Sequence, residues 1–218
     1  VLHQIANAQK NGKICAYLDL EHTFDKNRAT KFGVNLDELV LAEGMESAEE
    51  AMDIVIKLAK EQAVDYIALD SIHALSPKQE RETKSGKEKS MEEEEMALLA
   101  RKMGKFLRVV APFIYKSKIA FVLVGQVRIK GIGSFITKEG LTGGMSVHHW
   151  SVLTLHLRKG QKVDAPYVYI TEDGKRKKQL IGFDCVMKIE KTKVKSAPEL
   201  SEIHLPFHFN SGFLEEEE

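Results

Sequence analysis

The sequence predicts an α/β fold: a mostly parallel, twisted sheet flanked by helices, with antiparallel strands in its C-terminal half. Three observations point there. Short apolar runs at 13–19, 39–41, 66–69 and 118–124 alternate with amphipathic stretches, the pattern of a doubly wound sheet. The run Tyr66–Leu69 carries no charge, as a strand buried on both faces requires. Beyond residue 150 the helical period gives way to strand patterns around an Asp173-Gly174 turn, which favours antiparallel pairing.

At 218 residues, with 43% hydrophobic and 29% charged side chains, the chain suits one large soluble domain. That domain is expected over 1–214, followed by an acidic tail at 215–218. No run has membrane-spanning length and no signal-peptide pattern opens the chain, so no membrane partner is expected. Cys15 and Cys185 lie inside apolar runs and read as buried thiols of a reducing, cytoplasmic compartment. The net charge of +0 is unevenly spread. Residues 124–195 carry 14 Lys/Arg against 6 Asp/Glu, and residues 196–218 carry 6 acids and no Lys or Arg. Such a basic block is either a solvated surface or a polyanion-binding one.

Residues 1–10 read as a helix stopped by Asn11-Gly12. No start signal precedes it, so more chain is expected upstream. Residues 13–19 form the next strand, and Glu21 follows at its carboxyl end. Asp25 begins a short helix that stops at Gly33. Residues 39–41 form a strand, and Ser47 with Glu50 reads as a capping box for a helix reaching about Glu61. Asp70 and Ser71 close the strand at 66–69. In open α/β sheets ligands bind beyond the carboxyl ends of the strands, so Glu21 and Asp70 are expected at one site edge. A carboxylate at Asp70 suits a Mg²⁺ held through its water; the plain alternative is a helix cap.

Residues 78–95 hold 12 charged side chains out of 18, and a mobile loop is expected there, unless Glu92–Glu95 begin the next helix. From about Met96 to Ile114 a helix is predicted, with Leu99, Met103, Phe106, Leu107 and Val110 on one face. Arg101, Lys105 and Arg108 share the opposite face, a candidate phosphate-contacting stripe. The strand at 118–124 ends in Gln126, a third polar residue for the same edge. A glycine-rich loop at 129–146 follows and is also expected to be mobile. Strands are predicted at 150–157, 167–171, 181–189 and 203–209. His148 and His149, read as strand neighbours, would point to opposite faces and make a poor metal pair.

The order of these motifs resembles the bacterial and phage RecA-type recombinases across nearly the whole chain. Residues 15–22 (Cys-Ala-Tyr-Leu-Asp-Leu-Glu-His) resemble that family's strand with its catalytic glutamate, and Asp70-Ser71 its Walker B region. Gln126 through Lys130 resembles the nucleotide-sensing glutamine and the entry to the second DNA loop, with Thr142-Gly143-Gly144 at the loop's exit. Lys191-Thr192-Lys193 resembles the lysine pair that reaches a neighbouring subunit's nucleotide.

What the resemblance implies is a RecA-like P-loop NTPase core using ATP and Mg²⁺. Glu21 would polarise the attacking water, Asp70 would hold the Mg²⁺ shell with Ser71 beside it, and Asp25 would lie near the adenine. Gln126 would report on the γ-phosphate, while Lys191 and Lys193 would stabilise phosphate charge in trans. Arg101, Lys105, Arg108, Arg128, Ile129, Lys130, Gly143 and Gly144 would contact DNA. The implied partners are single-stranded and duplex DNA and further copies of the protein in a helical filament that promotes strand exchange.

The sequence departs from the family in several places. No G-x-x-x-x-G-K-[ST] phosphate loop occurs in it, and the family's would lie immediately before Val1, so this chain alone is expected to bind ATP poorly. Nor do these residues include the family's N-terminal polymerisation helix or C-terminal domain. Arg28 stands where the family often stacks a tyrosine, and His148-His149 replaces a lysine–phenylalanine pair. The rival expectation is a non-catalytic paralogue that binds DNA or a recombinase without hydrolysing ATP.

Overall fold

A parallel sheet forms where the apolar runs predict it. In the computed structural model, which describes residues 1–75, 91–130, 138–141, 145–170, 176–194 and 202–213, four strands pair in parallel. They are β1 (Cys15–Asp19), β2 (Leu39–Ala42), β3 (Tyr66–Asp70) and β4 (Ala120–Leu123), in the order β2-β1-β3-β4. Their period of two sorts the side chains onto two buried faces. Ala16, Leu18, Ile67 and Leu69 join a core with α3 (Ala48–Lys60) and α4 (Met91–Ser117). Cys15, Tyr17, Tyr66 and Ala68 join a second core with α1 (Leu2–Lys10) and Ala29 of α2 (Lys26–Lys31). Each fully buried Leu or Ile contributes about 1.5–3 kcal/mol. β4 pairs with β3 alone among the described residues and is only partly buried.

The helices follow their local signals. The Ser47 side chain accepts from the Glu50 amide at 3.3 Å, while the Glu50 carboxylate accepts from the Glu46 amide at 2.8 Å. The predicted capping box is therefore present with its return bond shifted by one residue. α4 begins at Met91, five residues before the predicted start. Glu92–Glu95 occupy its first turns, where the dipole favours acids. The rest of the charged stretch, 78–90, lies outside the described residues. Leu99, Met103, Phe106, Leu107 and Val110 are all buried, as their spacing requires.

Within the glycine-rich stretch, β5 (Val127–Lys130) pairs antiparallel with β6 (Lys138–Leu141), and α5 (Met145–Trp150) comes next in the chain; 131–137 and 142–144 lie outside the described residues. His148 and His149 therefore sit on a short helix, not on a strand, and Trp150 ends that helix instead of opening the next strand. The strand pattern read from Trp150 is correct only from Leu153.

The chain divides into two units, Val1–Ala29 with Gly33–Trp150 and Thr30–Phe32 with Ser151–Glu218. In the second, an antiparallel sheet has the order β10-β9-β8-β7, formed by β7 (Leu153–Ile170), β8 (Arg176–Thr192), β9 (Glu202–His208) and β10 (Gly212–Phe213). The expected antiparallel C-terminal strands thus form their own sheet. The strands predicted at 150–157 and 167–171 are one continuous β7. Its register against β8 slips between Lys159 and Lys162 and again between Asp164 and Val168. Gly160 and Pro166 lie within those slips; proline has no N–H for the ladder, which explains why the sequence reads as interrupted. The turn at 171–175 lies outside the described residues. β8 and β9 approach closely at Gly182, where a Cβ would meet the Phe207 carbonyl oxygen at 2.2 Å, so only glycine fits.

Candidate functional site

The parallel register brings the ends of β1 and β3 together, with Asp19 opposite Asp70. The Leu20 amide donates to the Asp70 carbonyl at 2.8 Å, extending the pairing past the strands. Glu21 and Ser71 follow, and the Ser71 hydroxyl donates to Glu21 Oε1. Ser71 is buried, so its hydroxyl fixes one oxygen of a carboxylate that is otherwise exposed. The Asp70–Ser71 peptide is cis. Asp70 caps no helix: the 3₁₀ turn Ile72–Ala74 takes Ser71 at its N-cap and has no side-chain cap.

Two further residues complete the cluster. The Tyr17 hydroxyl donates to Asp70 Oδ2 at 2.7 Å, and its ring lies 4.9 Å from that of Phe24. Asp19 is 1% exposed; its Oδ2 accepts from the Phe24 amide at 2.8 Å, whereas Oδ1 has no partner among the described residues. Neither residue stands out in the sequence reading. The available signal was strand alternation, which puts positions 17 and 19 on one face and places an acid at the end of a buried run.

Burial raises the Asp70 carboxyl above the usual range, against the Tyr17 hydrogen bond, and the Glu21 and Asp19 charges raise it further. Burial, and then the bond to Asp70, raises the Tyr17 phenol, which stays a donor. A folded-state carboxyl raised above its unfolded value binds a proton that the unfolded chain has lost. Stability is therefore lost as pH rises from the ordinary carboxylate range through the raised value. Asp70→Asn, which keeps an acceptor for Tyr17, is expected to raise the thermal midpoint by about 2–4 °C near pH ~8 in EDTA. That gain should vanish toward pH ~4. A gain independent of pH would show that the Asp70 charge is not its source.

The donor set fits Mg²⁺ of one kind only. Among the described residues no three His, Cys, Asp or Glu gather to enclose an ion. One half-buried carboxylate, flanked by a second with an unpartnered oxygen, suits an ion that keeps several waters.

Gln126 follows β4, the strand beside β3, and so lies at the same sheet edge. It is exposed, and its backbone N–H donates to His73 Nδ1 at 3.4 Å. Asp25 caps α2, its Oδ1 accepting from the Arg28 amide at 3.0 Å. Lys191 lies in β8 opposite Thr154, and the Lys193 amide donates to the Val152 carbonyl at 2.8 Å; both belong to the second unit. Desolvation, then the Lys193 charge, lowers the Lys191 amine.

Arg101, Lys105 and Arg108 are exposed on one side of α4. With Ala100, Gly104 and Ser146 they line an open concavity of about 500 Å³. Gly104 lets α5 approach: a Cβ there would meet Ser146 Oγ at 2.8 Å. Arg128, Ile129 and Lys130 lie in β5, opposite Gly140, Glu139 and Lys138. Gly143 and Gly144 lie outside the described residues.

The RecA N-terminal domain family matches residues 1–214. The chain belongs to the RecA family. It is 38% identical to Protein RecA of Mesoplasma florum over 162 residues, covering 74% of this chain and 46% of that protein. To Protein RecA of Rickettsia africae it is 31% identical over 217 residues, covering 100% of this chain and 57% of that protein. It therefore spans about half the length of the curated RecA proteins it matches. The crystal structure of the RadB recombinase shares the fold, with a TM-score of 0.58 at 17% identity over 94% of this chain and 79% of that one. Among the described residues of this RecA-family chain, no helix is long and apolar enough to cross a membrane.

Proposed function

We propose that this chain carries the carboxylate half of an ATP–Mg²⁺ site controlling DNA binding in a homologous-recombination protein. The complete protein would filament on single-stranded DNA and promote strand exchange with a duplex. The observation carrying this reading is the meeting of Glu21, Ser71 and Asp70 at one edge of the parallel sheet, in the unit that also holds the basic stripe of α4. When bound, MgATP supplies the phosphoryl electrophile and the metal charge that balances its oxygens.

Each protein group has a task that its surroundings explain. Glu21, held by Ser71 through Oε1, takes a proton from water at its other oxygen. Asp70, fixed by Tyr17, would hold the ion through its water shell. Gln126 stands between the strand edge and β5, so a shift at the edge moves the segment bearing Arg128, Ile129 and Lys130. Lys191 and Lys193 serve as point charges for a neighbouring subunit's phosphates. The test compares this chain with one extended upstream through a phosphate-binding loop, measuring single-stranded DNA binding with a non-hydrolysable ATP analogue. The extended form is expected to bind more tightly with the analogue, and this chain to be indifferent to it. If neither responds, the carboxylates serve no nucleotide and the non-catalytic reading takes their place.

A further inference from the structure

The outward positions of α4 form a continuous stripe, Arg101, Lys105, Arg108, Pro112 and Tyr115, spaced 4, 3, 4 and 3 residues apart. At 1.5 Å per residue it runs about 21 Å along the helix. It is the counterpart of the buried stripe Leu99, Met103, Phe106 and Val110, and every residue in it is exposed. From Arg101 to Ser117 the helix contains no acid. The stripe changes character along its length, with three cations first, then an exposed proline and a tyrosine. Single exposed apolar residues are ordinary; Tyr115 is unusual in being 88% exposed and in line with the cations. Its ring contributes nothing to the cores of this unit.

Cations attract phosphates whatever the strand state. An exposed ring adds what they lack, a face on which an unpaired base can stack, and a duplex has no such base to offer. A stripe of this length matches a few nucleotides of extended single strand. We infer that Tyr115, with Pro112 beside it, is a base-stacking platform that carries a single-stranded DNA track along α4 beyond Arg108. This rests on the proposed DNA-binding role of Arg101, Lys105 and Arg108.

The experiment is fluorescence anisotropy of this chain with labelled oligo-dT and with a duplex of equal length, each across a salt series. Tyr115→Ala is expected to weaken oligo-dT binding about tenfold, with the salt slope and duplex affinity unchanged. Tyr115→Phe should restore the affinity, because stacking needs the ring and not the hydroxyl. If Tyr115→Ala leaves oligo-dT binding intact while Arg101→Ala weakens it, the platform is overturned and the basic stripe survives. If neither variant matters, the DNA role of α4 falls with it. Equal losses for oligo-dT and duplex would overturn stacking. So would sedimentation showing that Tyr115→Ala only dissolves contacts between copies of the chain.

Discussion

Glu21→Gln, in a form extended upstream through a phosphate-binding loop, is expected to lower ATP hydrolysis by about 10²–10⁴-fold while leaving MgATP affinity within a few-fold. The amide matches the carboxylate in shape and its Oε1 still accepts from Ser71, so the local geometry survives. What disappears is the group able to take a proton from water. Losing one negative charge beside phosphate oxygens favours binding if anything, so a fall in kcat without a fall in affinity is the signature of this role. Single-turnover hydrolysis and binding of a fluorescent ATP analogue separate the two. If affinity is lost along with turnover, Glu21 organises the site and does not act on water.

Most of the first unit was legible because its signals are local. The apolar runs, the Ser47 cap and the 3.6-residue period of α4 each reflect forces acting within a few residues, and they placed Glu21, Asp70 and Gln126 at one edge. Tyr17 and Asp19 were not legible as site residues. Their importance comes from the register of β1 against β3, which sets the Tyr17 hydroxyl 2.7 Å from a carboxylate 53 positions away. The second unit misled for a different reason. Gly160 and Pro166 are breakers by composition, yet a long antiparallel partner tolerates them as register slips, so β7 continues where the sequence reads as two strands. His148 and His149 show a third failure. Six residues are too few for a helical period to declare itself, and the β-prone Val147 and Trp150 around them favoured the strand.

Replacing Arg101 and Arg108 together with Ala is expected to weaken single-stranded DNA binding by on the order of tenfold per arginine at low salt. Two fewer phosphate contacts should also flatten the log–log salt dependence by about 1.4, since each contact on a single strand releases about 0.7 of a counterion. Lys102 is the control that gives this result its meaning. It lies next to Arg101 in sequence, but on a different side of α4, where its ammonium meets Glu49 of α3 at 2.5 Å. Lys102→Ala removes the same unit of charge without touching the stripe. If net charge alone governed binding, one such substitution would cost as much as one arginine. If phosphates lie along the stripe, Lys102→Ala should cost some thermal stability and leave the salt slope where it was. A double arginine variant with an unchanged slope would place the DNA elsewhere on the molecule, because the slope counts phosphate contacts.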